Sequence, residues 1–216
     1  MASQVIYGKQ PVAEAEWGRR QVLRVWRAPE TPAEELERLC GSPDHQGVVA
    51  EVEPYPYAGA IELLRKEKAL LVALDQVQDP RNLGAVARSA EVAGVAGLVI
   101  PERRAAEVTA VACKASAGAV EHLAIARVRN LADWLGEAKE AGFWIWGADA
   151  GAGPAPWDVD LSGSAVLVLG GEGKGLRPRV AAACDGLLAL PLRGRVASLN
   201  VSAAASALLF EAVRQR

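Results

Sequence analysis

The sequence predicts an α/β fold with a mainly parallel sheet, preceded by a smaller α/β segment. Three observations carry this. From residue 69 onward, short apolar runs alternate with longer amphipathic stretches, the pattern of strands joined by helical crossovers. The run ALLVALD (69–75) is unbroken, as in a strand covered on both faces. Ahead of it, EPYPYAGA (53–60) sets two prolines and a glycine between patterned segments, which reads as a linker. The domain division is therefore 1–53, a linker over 54–60, and 61–216.

Before the linker, RQVLRVWRA (20–28) alternates as a strand does. TPAEELERLC (31–40) predicts a helix with Thr31 as its cap, Pro32 at the first helical position and acids in the first turn. HQGVVAEVE (45–53) predicts another strand. A unit of about 50 residues is small for an independent core, so it should lean on the rest of the chain or on a partner.

After the linker come strands at 69–75, 97–100, 122–128, 143–149, 164–170 and 186–192. Helices are predicted over 82–94, ending at Gly94, over 105–120, over 131–142, ending at Gly142, briefly after Arg177, and from about Ser198 to the last residue. Trp144 and Trp146 fall on one face of their strand, where core packing is the expected role. There is no internal repeat and no low-complexity tract.

Composition narrows the function. The 216 residues are 51% hydrophobic and 23% charged, as in ordinary globular proteins. No apolar run approaches the ~20 residues that span a bilayer. The stretch MASQVIYGKQPVAEAEW lacks a basic region followed by an apolar one, so no secretory signal is read. Cys40, Cys113 and Cys184 are dispersed and form no CxxC, which fits a reducing cytoplasm. His45 and His122 lack metal-ligand spacing, so no metal is expected. A net charge of −2 excludes coating of nucleic acid by bulk charge. It leaves local arginine clusters: Arg19, Arg20, Arg24 and Arg27; Arg103 and Arg104; Arg177 and Arg179; Arg193 and Arg195. The guanidinium fork matches phosphate oxygens.

Ligands of parallel sheets sit beyond the carboxyl ends of the strands, and three strand ends carry polar insertions. DQVQDPRNLGAVARSAEVAG (75–94) puts Asn82 at a helix mouth and Arg88 among Val86, Ala87, Ala90 and Val92. Asp79 or Asn82 could simply cap the helix. An arginine buried in such a helix would need a counter-ion or a bound anion. LVLGGEGKGLRP (167–178) runs a strand into a turn with glycine at 170, 171, 173 and 175 around Glu172. Such a turn lets backbone approach a ligand, yet the usual fingerprints fail. Leu176 stands where GxGxxG needs its last glycine, and Val168 stands where a phosphate loop needs its first. LPLRGRVASLNVSAAASALLFEAVRQR (190–216) opens its helix with both Ser198 and Asn200. Two candidate caps for one helix leave one polar side chain over for another duty.

Together these three segments, in this order and spacing, resemble the SpoU/TrmH family of RNA ribose 2′-O-methyltransferases, over about residues 61–216. The chain is most similar to the group that methylates a guanosine ribose in 23S ribosomal RNA. VIYGKQPVAEA and HQGVVAEVEPY also resemble the ends of that group's L30e-like RNA-binding domain, with the stretch between them shortened as though a helix and a strand were missing. The resemblance implies a deep trefoil knot in the C-terminal part and a homodimer. It implies an S-adenosylmethionine site around Leu169, Gly170, Gly171, Leu190, Leu192 and Leu199, and a catalytic set of Asn82, Arg88, Glu172, Ser198 and Asn200. In that set Arg88 faces the RNA ribose and phosphate, Asn82 positions it, Glu172 orients Arg88 or Asn200, and Ser198 and Asn200 close the site. A guanidinium stays protonated, so Arg88 stabilises a developing alkoxide, and proton transfer falls to Ser198 or an RNA phosphate. Three other readings stay open: methylation of tRNA, or of ribosomal RNA as self-protection; a non-catalytic RNA-binding or ribosome-assembly protein; and a metabolic enzyme using another nucleotide, against which the failed fingerprints stand.

Overall fold

The computed structural model describes residues 3–151, 153–171 and 175–216. They form two compact units, each assembled from separate stretches of chain.

The first unit takes the chain up to Pro56, together with Pro80–Arg88 and Glu107–His122. Its sheet has strands β1 (Gln4–Tyr7), β2 (Val22–Arg27) and β3 (Val48–Val52), antiparallel in the order β1-β3-β2. The central strand is the apolar one. Val48, Val49, Ala50 and Val52 are buried, and Ala50 stands opposite Ile6 on one side and Val25 on the other. Helix α1 (Lys9–Glu16) follows β1. Helix α2 (Ala33–Cys40) sends Leu36 into a core with Tyr7 and Val49. Thr31 does not cap α2. Pro32 is extended (φ −58°, ψ 147°) and takes the cap position, so the helix begins one residue later and the Thr31 hydroxyl lies one position too early.

A core this small needs reinforcement, and the returning stretch 107–122 supplies it. Instead of one helix over 105–120, the chain makes only the short α5 (Ala110–Ala115) and a turn of 3-10 helix over Ala119–Glu121. The Thr109 hydroxyl accepts from the Ala112 N–H and starts α5 there. Ala117 and Gly118, both with positive φ, end the helical path. That break carries Glu121 inward. Glu121 and Arg20 form a fully buried ion pair at 2.6 Å. Arg20 Nε also donates to the second carboxylate oxygen at 2.9 Å, which makes the pair bidentate. The same guanidinium donates to Gln4 at 2.7 Å and to Cys113 Sγ at 3.1 Å. Burial pushes the Cys113 thiol up to about 12, so it stays protonated and donates to Glu121.

The second unit takes Tyr57–Asp79, Ser89–Ala106 and Leu123–Arg216. Its strands are β4 (Leu70–Asp75), β5 (Gly97–Pro101), β6 (Ile125–Val128), β7 (Trp144–Ala148), β8 (Ala165–Gly170) and β9 (Gly186–Leu188). All are parallel, in the order β6-β5-β4-β8-β7-β9. β4 and β8 form the centre, and every residue of β4 is buried, as its unbroken apolar run requires. Helix α3 (Ala60–Leu63) opens the unit, and α4 (Pro80–Val92), which begins among residues of the first unit, ends within this one. Helices α6 (Leu131–Glu140), α7 (Pro178–Ala183) and α8 (Val201–Gln215) complete it. Leu131, Trp134, Leu135 and Ala138 of α6 share a core with Leu71, Ala73, Ile145, Val166 and Val168 of the sheet. Among the described residues no helix is long and apolar enough to cross a membrane.

Two expectations change. The linker is tied at both ends: the buried Tyr55 hydroxyl donates to the Val120 carbonyl in the first unit, and the Ala58 N–H donates to the Ile125 carbonyl in the second. The Trp144 and Trp146 rings do share a face, 6.2 Å apart, but Trp144 is 53% exposed. β9 pairs only with Trp146–Ala148, so the start of β7 protrudes without cover from it.

Removing one member of a buried ion pair strands the other's charge, at a cost of about 3–5 kcal/mol. Glu121→Gln is expected to lower stability by an amount in this range in urea denaturation. The double variant Arg20→Met/Glu121→Leu should recover most of the loss, because it leaves no charge behind.

Candidate functional site

The end of β4 organises the site. Asp75 is fully buried and pairs in register with Gly170. A buried carboxylate must be matched by donors, and Arg177 provides three. Its backbone N–H donates to Asp75 Oδ2 at 2.8 Å, and Nε and Nη2 reach Oδ1 at 2.7 Å. Arg177 directly precedes α7, whose first residue is Pro178. The pair therefore fixes where the chain leaves the glycine-rich turn.

The entrance to that turn needs bare backbone. A Cβ on Gly170 would lie 2.2 Å from the Gly175 carbonyl carbon, and one on Gly171 would lie 2.5 Å from the Gln76 carbonyl oxygen. Real Cβ atoms do not approach so closely, so the glycines answer a packing demand as well as any ligand's. Gly171 and Gly175 also pair across the turn as an antiparallel bridge. Glu172 lies outside the described residues.

Beyond the carboxyl ends of β8, β7 and β9 lies a cavity of about 740 Å³. Leu169, Gly170, Gly171 and Gly175 line one side. Leu188, Leu190 and Leu192 follow β9. Ala148, Asp149 and Ala150 follow β7. Ala197 to Val201, with Ala204 and Leu208, line it from the last segment. Leu169 and Leu188 are buried, Leu190 and Leu192 are half-buried, and Leu199 is 49% exposed. All six residues assigned to a cofactor thus border one cavity, with Ser198 and Asn200 on its edge.

The two polar groups before α8 have separate duties. The helix starts at Val201, not near Ser198. The Asn200 side chain caps it, accepting from the Ser202 N–H at 2.9 Å and the Ser202 hydroxyl at 2.6 Å. Ser198 lies outside the helix, exposed, and lines the cavity.

Asn82 and Arg88 lie on α4 and belong to the first unit. Asn82, in the first turn, is half-buried. Arg88 is exposed, which corrects the expectation of a buried arginine. Leu83, Ala87 and Ala90 with Val86 form the stripe that α4 buries. Position 88 follows Ala87 by ~100° around the helix and falls off that stripe.

Asp149 was missing from the sequence reading. Its Oδ1 accepts from the Gly151 N–H at 2.9 Å, and the residue borders the cavity. The available signal was its place at the end of an apolar strand, where such sheets put ligands. Asp75 and Arg177 were missed as partners because they are 102 residues apart in sequence. Among the described residues no group of three or more side chains could hold a metal ion.

Residues 69–210 match the SpoU rRNA Methylase family, and residues 29–58 match the family for RNA 2′-O ribose methyltransferase substrate binding. A relative in Bacillus subtilis, named for the TrmH family of tRNA/rRNA methyltransferases, is 37% identical over 98% of this chain and 95% of its own length. One in Mycobacterium avium, named a tRNA/rRNA methyltransferase, is 44% identical over 87% of this chain. This chain spans 62% of that relative's length, and 63% of a similarly named one in Synechocystis. Among solved structures, the SpoU methyltransferase AviRb from Streptomyces viridochromogenes, in complex with AdoMet, is similar at a TM-score of 0.82. It shares 28% identity, over 99% of this chain and 90% of that one. The AdoMet-bound rRNA methyltransferase from Sinorhizobium meliloti gives 0.86 at 25% identity, over 98% and 87%.

The close approach at Gly170 makes a clear expectation. Gly170→Ala should force the turn away from Gly175 and lower the melting temperature by several degrees in a calorimetric scan, since a clash of this kind costs about 1–3 kcal/mol.

Proposed function

The chain belongs to the SpoU rRNA methylase family, and from that premise we propose that it transfers a methyl group from S-adenosylmethionine to a ribose 2′-hydroxyl of RNA. The proposed target is a guanosine of 23S ribosomal RNA, on the strength of the sequence resemblance to that group. The observation that carries the reaction is the cavity beyond β8, β7 and β9.

The lining fits this cofactor. Leucine side chains at 169, 188, 190, 192 and 199 offer an apolar surface for adenine. The bare backbone of Gly170 and Gly171 allows close approach. Asp149 commits one oxygen to the Gly151 N–H and keeps the other for a hydroxyl or amino group. S-adenosylmethionine supplies a methyl group on a positively charged sulfur. The chain's own residues must do the rest: align the attacking oxygen and manage its proton. Ser198, the side chain that capping leaves over, is assigned to that proton, alone or with an RNA phosphate. Asn200 holds the segment by capping α8. Arg88 is assigned to the ribose and its phosphate, a role that suits an exposed guanidinium. Asn82 positions Arg88, and Glu172 is assigned to orient Arg88 or Asn200.

The same reading carries a C-terminal trefoil knot and a homodimer. Phe210 and Val213 on α8, 52% and 41% exposed, are apolar surface that a second copy would cover. Residues 1–53 are assigned to RNA recognition, in keeping with the substrate-binding match over 29–58, with 54–60 as linker to the methyltransferase domain 61–216. The protein is placed in the cytoplasm with its RNA. A tRNA ribose is the second reading, favoured because relatives are named as tRNA/rRNA methyltransferases.

Calorimetric titration tests the cofactor site. One S-adenosylmethionine should bind per chain, and Gly170→Ala should weaken it tenfold or more. A folded protein that binds neither S-adenosylmethionine nor S-adenosylhomocysteine would end the catalytic reading. With 23S ribosomal RNA and labelled methyl donor, Arg88→Ala should abolish transfer while cofactor affinity stays within about twofold. Equal loss of both would remove Arg88 from the RNA side. Ser198→Ala should lower the single-turnover rate more than it weakens cofactor binding.

A further inference from the structure

The second unit has another cavity, at the opposite end of its strands. Trp144 begins β7 and Ala165 begins β8, and the two pair in register. With Trp146, Asp160, Gly163 and Ser164 they line a hollow of about 320 Å³. It lies at the amino ends of these strands, whereas the cofactor cavity lies beyond their carboxyl ends.

Several features set this hollow apart from a chance surface dip. The Trp146 ring is pressed onto bare backbone: a Cβ on Gly186 would lie 2.4 Å from its Cζ3. The ring is therefore fixed in place. Its Nε1 is buried and has no hydrogen-bond acceptor among the described residues, an arrangement that costs free energy unless a ligand supplies one. The Trp144 ring stands beside it at 47°, half exposed. Asp160 keeps Oδ1 for the Ser162 N–H and hydroxyl, at 2.8 and 2.6 Å. Those bonds hold its carboxyl below the usual range, so it is charged at neutral pH. Near the rim, the Arg216 guanidinium donates to the Gly163 and Lys68 carbonyls, and the Lys68 side chain is exposed.

The geometry points to a stacking site for one unpaired RNA base, formed by Trp144 over the fixed Trp146, apart from the site of methyl transfer. It rests on the reading of this chain as an RNA-modifying enzyme. The polar groups decide the class of occupant. An apolar side chain of a partner protein would cover the rings but leave Trp146 Nε1 without an acceptor. A phosphate would meet the Asp160 carboxylate. A nucleobase offers a flat face to the exposed ring and carries both acceptors and N–H donors on its edge. The strand's phosphates would then pass near Lys68 and Arg216.

The test uses the full chain and labelled single-stranded RNAs of about six nucleotides, oligo-U, oligo-A and oligo-C, with an abasic ribose-phosphate oligomer beside them. Binding is read by fluorescence anisotropy. Trp144→Ala should weaken the base-bearing RNAs by about tenfold, within the range that loss of one stacked base produces, and leave the abasic oligomer unchanged. Trp146→Phe keeps the packing and removes only the N–H, and should weaken the same RNAs by a few-fold. Equal affinities in wild type and both variants, tight or absent, would overturn the site. Equal losses for base-bearing and abasic oligomers would overturn it too, because backbone would then be what binds. Calorimetry with S-adenosylmethionine and labelled methyl transfer into bulk ribosomal RNA keep the two readings apart. Cofactor binding and transfer with unaltered oligomer binding would sink the base site alone. Absence of both would sink the enzyme reading itself.

Discussion

Asp75 ends the central strand with a carboxylate that water does not reach. A charge in that position is tolerable only if donors surround it, and Arg177 supplies them from backbone and side chain together. Much else follows from this pair. Because Asp75 stands in register with Gly170, the anchor lies where β8 gives way to the glycine turn. The turn is thereby held at its exit by Arg177, and at its entrance by backbone packed too closely for any side chain at 170 or 171. A ligand cradle made of backbone has no rotamers to freeze, so its rigidity must come from such anchors. The cavity beyond β8 has one wall of this kind and another made of leucines.

The first unit meets a related problem differently. Its sheet is three short strands, too little to bury a core of ordinary size. The returning stretch 107–122 adds surface, and the Arg20–Glu121 pair locks it in. A buried ion pair is a weak source of net stability but a strong penalty on alternatives, since any other arrangement of 107–122 would leave Arg20 buried and unmatched. The break of the expected helix at Ala117 and Gly118 then has a purpose. An unbroken helix would not place Glu121 by the same path.

The strands of the larger sheet were legible because a parallel strand buried on both faces leaves an uninterrupted apolar run, and 69–75 and 164–170 show it plainly. The cofactor-side residues were legible through their motifs, and the structure sets them around one cavity. What failed did so for local reasons. Arg88 was judged by the apolar content of its helix, not by the stripe through Leu83, Ala87 and Ala90 that leaves it outside. The helix over 105–120 was read through Thr109, a residue whose side chain starts a new helix. Trp144 was judged by the face it shares with Trp146, yet burial there depends on where β9 begins, and that neighbour is about 40 residues away in sequence. The doubled cap before α8 was legible as a surplus. Only the bond from the Ser202 N–H to Asn200 shows which residue was the surplus one.

The sheet's polarity gives the remaining step. In a parallel sheet every strand ends on the same side, so loops that hold a ligand collect there, and Leu169 to Gly171, Ala148 to Ala150 and Leu188 to Leu192 do so. The other edge has no such duty and is ordinarily closed by polar turns. Here it carries two tryptophans, one half exposed and one with a buried N–H that no described residue accepts. Neither is a natural way to end a strand. A half-exposed indole forgoes burial worth about 2–3 kcal/mol, and an unmet N–H adds a further cost. Folding alone gives no return for keeping them so; an occupant with a flat face and an acceptor does.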